Sequence, residues 1–313
     1  MMGFEAGGGG LHCMCQDPST YLVVDVLAVP LLYPEDEDQL VGILSPLIGR
    51  QSPNILKIFD FSIHHVRCFN ATGFTSMDDR IGIIVMERPA RITLLQHVTS
   101  VWDNLNNDSF RQLLLQTATA LSIMHAESGT HRNINPDCVT VQLPEDVYKP
   151  QGTEGKKKTE GGDSPGKKRA PKLDDKPVVK VGDFWFLHNP RKAGCLYSMG
   201  RADWGSRLTL PPEATVGAAG QNNISPKSDV YAFGMCVLVW ATNGNVTQLP
   251  KLTAAMASDF NYTSVVDGLN TLLPARWGVW VHSLLKMCLQ TAPKSRASSQ
   301  EIVRFLTSSQ GKK

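Results

Sequence analysis

The stretch His131-Arg132-Asn133-Ile134-Asn135-Pro136-Asp137-Cys138 runs straight into Val139-Thr140-Val141-Gln142-Leu143. The first part is polar. Residues 138–143 are rich in Val and Thr and read as a short β-strand. Upstream, Phe110, Leu113, Leu114, Thr117, Leu121 and Met124 mark one face of a helix that leads into the stretch. Downstream, residues 178–184 (VVKVGDF) form a second β-like run. Residues 149–177 lie between these two strands and are rich in Gly, Pro and Lys, with almost no apolar side chain. Such a segment cannot offset its ordering entropy by burial, so it reads as a disordered basic insertion at a surface hairpin tip. It holds nine Lys or Arg and five acids, a surplus of four.

Outward from this centre, the two halves of the chain differ in periodicity. Residues 21–29, 55–63 and 80–87 are short and rich in Val and Ile, and read as strands. A helix is expected between the first two, Asp36 to Ile48, from the spacing of Leu40, Ile43, Leu44 and Leu47. After residue 109 the pattern turns helical. Ser228 to Thr242 is apolar nearly all round, as in a buried central helix. Arg276–Leu289 and Ser298–Leu306 complete the helical set. The fold class is therefore α+β: a small strand-rich part, then a larger helical part.

Composition narrows the function classes. A chain of 313 residues with 42% hydrophobic and 19% charged side chains can bury a sizeable core. The net charge is +2, and outside the insertion the remainder is −2, which argues against nucleic-acid binding. No apolar run approaches 18 residues and no basic-then-apolar leader opens the chain, so no membrane partner is expected and the expected location is intracellular, cytoplasmic or nuclear. Seven scattered cysteines do not suggest a disulfide framework, and Cys13-x-Cys15 lacks matching metal ligands.

Five motifs then stand in one order: His131 to Cys138, Asp183-Phe184-Trp185, Pro211-Pro212-Glu213, Ser228 to Gly234, and Arg296 after Cys288-Leu289. In this order they resemble the eukaryotic protein-kinase superfamily, over about Gly7 to Leu306. The resemblance implies a single bilobal domain across 1–313. Its strand-rich N-lobe would span about 7–87, with a first strand that is short or incomplete, and its helical C-lobe about 91–306. It further implies structural roles for Leu44, His131, Arg132, Phe184, Glu213, Asp229 and Arg296. Glu213 would pair with Arg296, and Asp229 would accept hydrogen bonds from the loop backbone.

The positions that the family uses for chemistry differ here. The strand-lysine position matches Asp25, where a carboxylate would repel phosphate. The helix glutamate that pairs with that lysine matches Leu40. The general-base position in the loop is Asn133, an amide that cannot take a proton near neutral pH. The loop lysine is Asn135 and the second metal ligand is Cys138, a poor partner for Mg²⁺. Asp183 remains as a weak cation ligand or a solvated loop carboxylate, and Trp185 replaces the glycine after Phe184. Gly7, Gly8, Gly9 and Gly10 are either a phosphate loop or a loose terminus, the second being preferred. The adenine slot would be framed by Val23 above and Thr140 below, with Met86 and Glu87 starting the hinge.

The resemblance thus implies a degenerate, pseudokinase-like member: a protein-binding, scaffolding or allosteric module with protein partners and no tightly bound cofactor. Weak ATP and Mg²⁺ binding is compatible with it. The alternatives are an atypical active ATP-dependent serine/threonine kinase, or a nucleotide-binding module without transfer.

Overall fold

The computed structural model describes residues 4–7, 10–16, 23–31, 34–65, 80–127, 129–143, 176–182, 209–215, 224–245 and 273–308. The expected insertion, apart from residues 176 and 177, lies outside them, as do Gly8, Gly9, Asp183, Phe184 and Trp185.

The N-terminal part is an antiparallel sheet of five strands: β1 (Phe4–Gly7), β2 (Gly10–Gln16), β3 (Val23–Leu31), β4 (Ile58–His65) and β5 (Arg80–Glu87), in the order β1-β2-β3-β5-β4. Of the glycine run, Gly7 ends β1 and Gly10 begins β2, so these two glycines do not belong to a loose terminus. Gly7 and Gly10 pair at the tip of a β1–β2 hairpin, so a first strand exists, only four residues long. On β3, Leu27, Val29 and Leu31 are buried at a spacing of two, which sets one face of the sheet against the core. That face meets helix α1 (Pro34–Leu44). The apolar spacing predicts a longer helix, but Ser45-Pro46 tightens the chain into a 3₁₀ turn, Ser45–Leu47. Gly49 then reverses the chain at φ 68°. β4 starts at Ile58 rather than Ile55. Ile55 and Leu56 instead bridge to Val181, with Leu56 N–H donating to its carbonyl at 2.9 Å.

The C-terminal part opens with a three-stranded sheet, β6 (Ile92–Thr93), β7 (Val139–Gln142) and β8 (Val178–Val181), in that order. Val139, Val141, Val179 and Val181 are fully buried, while Thr140 and Lys180, paired across the ladder, stay half-buried on the other face. Helix α2 (Leu94–Ser100) begins with a capping box: Thr93 Oγ1 accepts from Gln96 N–H, and Gln96 Oε1 accepts from Thr93 N–H.

Helix α3 (Asn107–Glu127) buries the face that its sequence marks, Phe110 to Met124. After the short α4 (Pro212–Thr215) comes α5 (Pro226–Ala241), entered at Pro226 and buried on all sides from Ser228 to Ala241. Around it pack α6 (Gly278–Cys288) and α7 (Ser299–Ser308). Trp277 anchors this corner: its Nε1–H donates to Ala241 O at 2.8 Å and its ring stacks on Phe110 at 4.4 Å. Trp240, Trp277, Tyr231, Phe110 and Phe233 fill the centre of this half. The architecture is α+β and bilobal.

Candidate functional site

Helix α3 delivers the chain to the loop at 131–138, and Asp229 on α5 holds that loop in place. The Asp229 carboxylate is wholly buried. Its Oδ2 accepts from His131 N–H at 2.6 Å and its Oδ1 from Arg132 N–H at 2.8 Å. His125 Nε2 lies 3.0 Å from Oδ2, and its Nδ1 lies 2.9 Å from Ser299 Oγ. A buried carboxylate is tolerable only with such donors. With both amides turned onto one side chain, Arg132 sits in the left-handed region at φ 70°.

His131 is 1% exposed and bridges the loop to β8. Its Nε2 meets Gly182 O at 2.8 Å and its Nδ1 meets Asn133 N–H at 3.2 Å. A carbonyl needs a donor and an N–H needs an acceptor, so the ring is the neutral Nε2–H tautomer. Burial lowers its pKa, in agreement with that assignment.

The three positions matched to transfer chemistry are turned onto one another. Asn135 Nδ2 donates to Asn133 O at 2.9 Å and to Asn133 Oδ1 at 3.2 Å. Asn135 Oδ1 accepts from Asp137 N–H at 2.8 Å and Cys138 N–H at 3.1 Å. The Cys138 thiol is buried and donates to Asn135 O at 3.1 Å. Both ends of the Asn135 amide are thus engaged within the loop, in an Asx-type turn. A hard cation such as Mg²⁺ wants free oxygen ligands. Here the candidate oxygen is bonded and the neighbouring donor is a buried thiol, so these residues do not fit that metal. Among the described residues no group of three or more His, Cys, Asp or Glu is placed to hold a metal ion.

In the upper lobe, Asp25 pairs with Met14 on β2 and with Met86 on β5. Asp25 and Met86, which the resemblance would place at the strand-lysine and gatekeeper positions, therefore share a rung and a face. Val23 on that face is 37% exposed, whereas Met86 is fully buried. Leu40, matched to the glutamate of the family's lysine–glutamate pair, is buried over Gly82, where a Cβ would come within 2.5 Å of Leu40 Cδ2. Gly82 pairs with Val29, four residues along β3 from Asp25, or roughly 13 Å at the rise of a strand. The structure does not bring Asp25 and Leu40 together. Leu40 fills core space instead.

Leu44, His131 and Asp229 are all buried, and Asp229 holds His131 through its backbone N–H. Below them, Arg296 grips Glu213 through Nη1–Oε1 at 2.6 Å and Nη2–Oε2 at 2.7 Å. A model of the family described as protein tyrosine and serine/threonine kinase matches residues 55–306. The chain belongs to that family. Among curated proteins none matches. The match begins after β3 and α1, so Asp25 and the glycine hairpin of this kinase domain stand outside it.

Several residues of the kinase domain's site carry no motif. Asn54, in the turn before β4, donates through Nδ2 to Val179 O at 2.9 Å and to Gln116 Oε1 at 3.0 Å. Lys180 Nζ approaches Glu87 Oε1 at 2.7 Å, an ion pair between β8 and the end of β5. A lysine among valines in 178–181 hints at an outward position, but nothing in the sequence names its partner. Asn54 is legible only in three dimensions, because its partners lie 62 and 125 residues away.

Proposed function

We propose that this kinase domain works as a pseudokinase: a binding, scaffolding or allosteric module with protein partners, in which phosphoryl transfer is absent. The observation that carries the reading is the loop closed on itself at Asn133, Asn135 and Cys138. Transfer requires a proton acceptor aimed at the substrate hydroxyl and charge neutralisation of the phosphoryl group. Asn133 supplies no such acceptor, and the Asn135 amide is spent on the loop backbone. Asp25 adds a carboxylate where phosphate would sit. The buried supports around Asp229 and Arg296 keep the fold without that chemistry, which suits a protein-recognition module.

The test is a thermal-shift titration with ATP, with and without Mg²⁺, followed by calorimetry. The expected result is no stabilisation by Mg²⁺–ATP at micromolar concentration, with millimolar binding compatible. A low-micromolar dissociation constant that depends on Mg²⁺ would overturn the reading and favour an atypical active kinase.

A further inference from the structure

An open depression of about 540 Å³ lies beside the hinge, lined by Arg50, Gln51, Ser52, Pro53, Lys57, Glu87 and Lys180. Of the residues matched to nucleotide or transfer chemistry, only Glu87 lines it. Three cations and one carboxylate face it, a surplus of positive charge in a chain whose overall charge is only +2. Its size falls in the usual range for small-ligand sites.

The wall is rigidly built. Asn54, 8% exposed, ties the 50–57 turn to β8 through Val179 O, and Val181 N–H donates back to Asn54 O at 2.9 Å. Glu87 N–H donates to Lys57 O at 2.9 Å, which fixes Lys57 beside Glu87. A preformed wall lowers the ordering cost of binding.

The charges are unevenly satisfied. Lys180 is neutralised by Glu87 at 2.7 Å. Arg50 pairs with Glu127 at 2.8 Å, but both side chains are more than a third exposed, so that pair is weak. The Lys57 ammonium faces the Phe59 ring at 5.1 Å, and among the described residues it makes no ion pair. An incoming anion would recruit Lys57 and Arg50 readily and compete with Glu87 for Lys180.

We infer that this hinge-side depression is a binding site for a small oligophosphate-type polyanion, held by Lys57, Arg50 and Lys180. Because Lys180 and Glu87 come from different lobes, occupancy would exchange an interlobe ion pair for a ligand contact. The site would thereby couple binding to hinge geometry.

Calorimetric titration of the full chain with tripolyphosphate at low salt tests this. Wild type should give saturable binding. Lys57→Ala should weaken it about tenfold, the loss of one charge-assisted hydrogen bond. Glu87→Gln should tighten it by removing the competing carboxylate, and Lys294→Ala, a remote charge control, should change it less than about twofold. Melting curves check that each variant is folded. Absence of saturable binding, or equal effects of Lys57→Ala and Lys294→Ala, overturns the site. A folded Glu87→Gln that binds no tighter overturns the role of Lys180.

Discussion

Arg296 and Glu213 form a two-pronged ion pair whose guanidinium is fully buried and whose carboxylate is 8% exposed. The same guanidinium donates to the carbonyls of Gln290, Thr291 and Lys227, and its carbon lies 4.8 Å from the Tyr231 ring centre. One side chain thus joins α4, the start of α5 and the turn before α7.

Removing Glu213 leaves that guanidinium with carbonyl oxygens and the Tyr231 ring but no carboxylate among the described residues. Glu213→Ala should cost about 3–5 kcal/mol, the usual penalty for stranding a buried charge. The melting temperature should fall by several degrees. Chemical denaturation checks the free energy, and a loss below 1 kcal/mol, roughly the worth of a surface pair, would show the pair to be peripheral.

His131 makes stability depend on pH. Burial holds its folded-state pKa below the ordinary 6.5, so the folded ring binds a proton less readily than the unfolded one. Its contribution is fully present above the unfolded value and is lost as pH falls below 6.5. His97 is shifted in the same direction by burial. The melting temperature should therefore drop between pH 7 and pH 5, and His131→Phe should flatten part of that slope while lowering stability overall. Parallel slopes in the two proteins would exclude His131 as a source.

At Gly234, in the middle of α5, two effects compete. Alanine would gain about 1 kcal/mol of helix propensity. An added Cβ, however, would sit 2.6 Å from Cys288 Cβ and 2.8 Å from Leu289 Cδ2. Overpacking of this kind costs about 1–3 kcal/mol, and the nearer atom is the Cβ of a buried cysteine with little room to move. Gly234→Ala should be net destabilising by about 1–2 kcal/mol in urea unfolding. A gain in stability would mean that α6 slides to make room.

Asp25→Lys tests the cleft. Replacing a carboxylate with an ammonium on the Met86 rung should strengthen Mg²⁺-free ATP binding about tenfold, measured by calorimetry. Leu40→Glu added to it should not improve binding further, because Leu40 packs on the Val29 rung and not beside Asp25. Unchanged affinity in Asp25→Lys would place the phosphate-facing rung elsewhere on β3.

Much of the fold was legible in periodicity. The strand at 80–87, the buried faces of α3 and α5 and the alternation in β7 and β8 all follow from local spacing, which burial then obeys. The helix at 36–48 was overextended because apolar spacing continues through Pro46, while proline chemistry ends the helix at Leu44. Strand β4 starts late because Ile55 and Leu56 pair with Val181, a contact across 126 residues that no local pattern encodes. The β1–β2 pairing carried no local signal, because a hairpin depends on its partner strand, here β2 against β1 and β3.

The sequence by itself determined the change from a strand-rich part to a helical part and which residues stand at each motif position, Asn133 in the loop and Asp25 on β3 among them. Side-chain identity and period are local properties, so they survive without a structure. Only the tertiary structure decided how those residues are used. Asp229 orients the loop from almost a hundred residues away, Asn135 spends its amide on Asn133, Asp137 and Cys138, and Lys180 finds Glu87 across the lobes. Hydrogen bonds and ion pairs act over a few ångströms in space, and distance along the chain says nothing about which groups meet at that range.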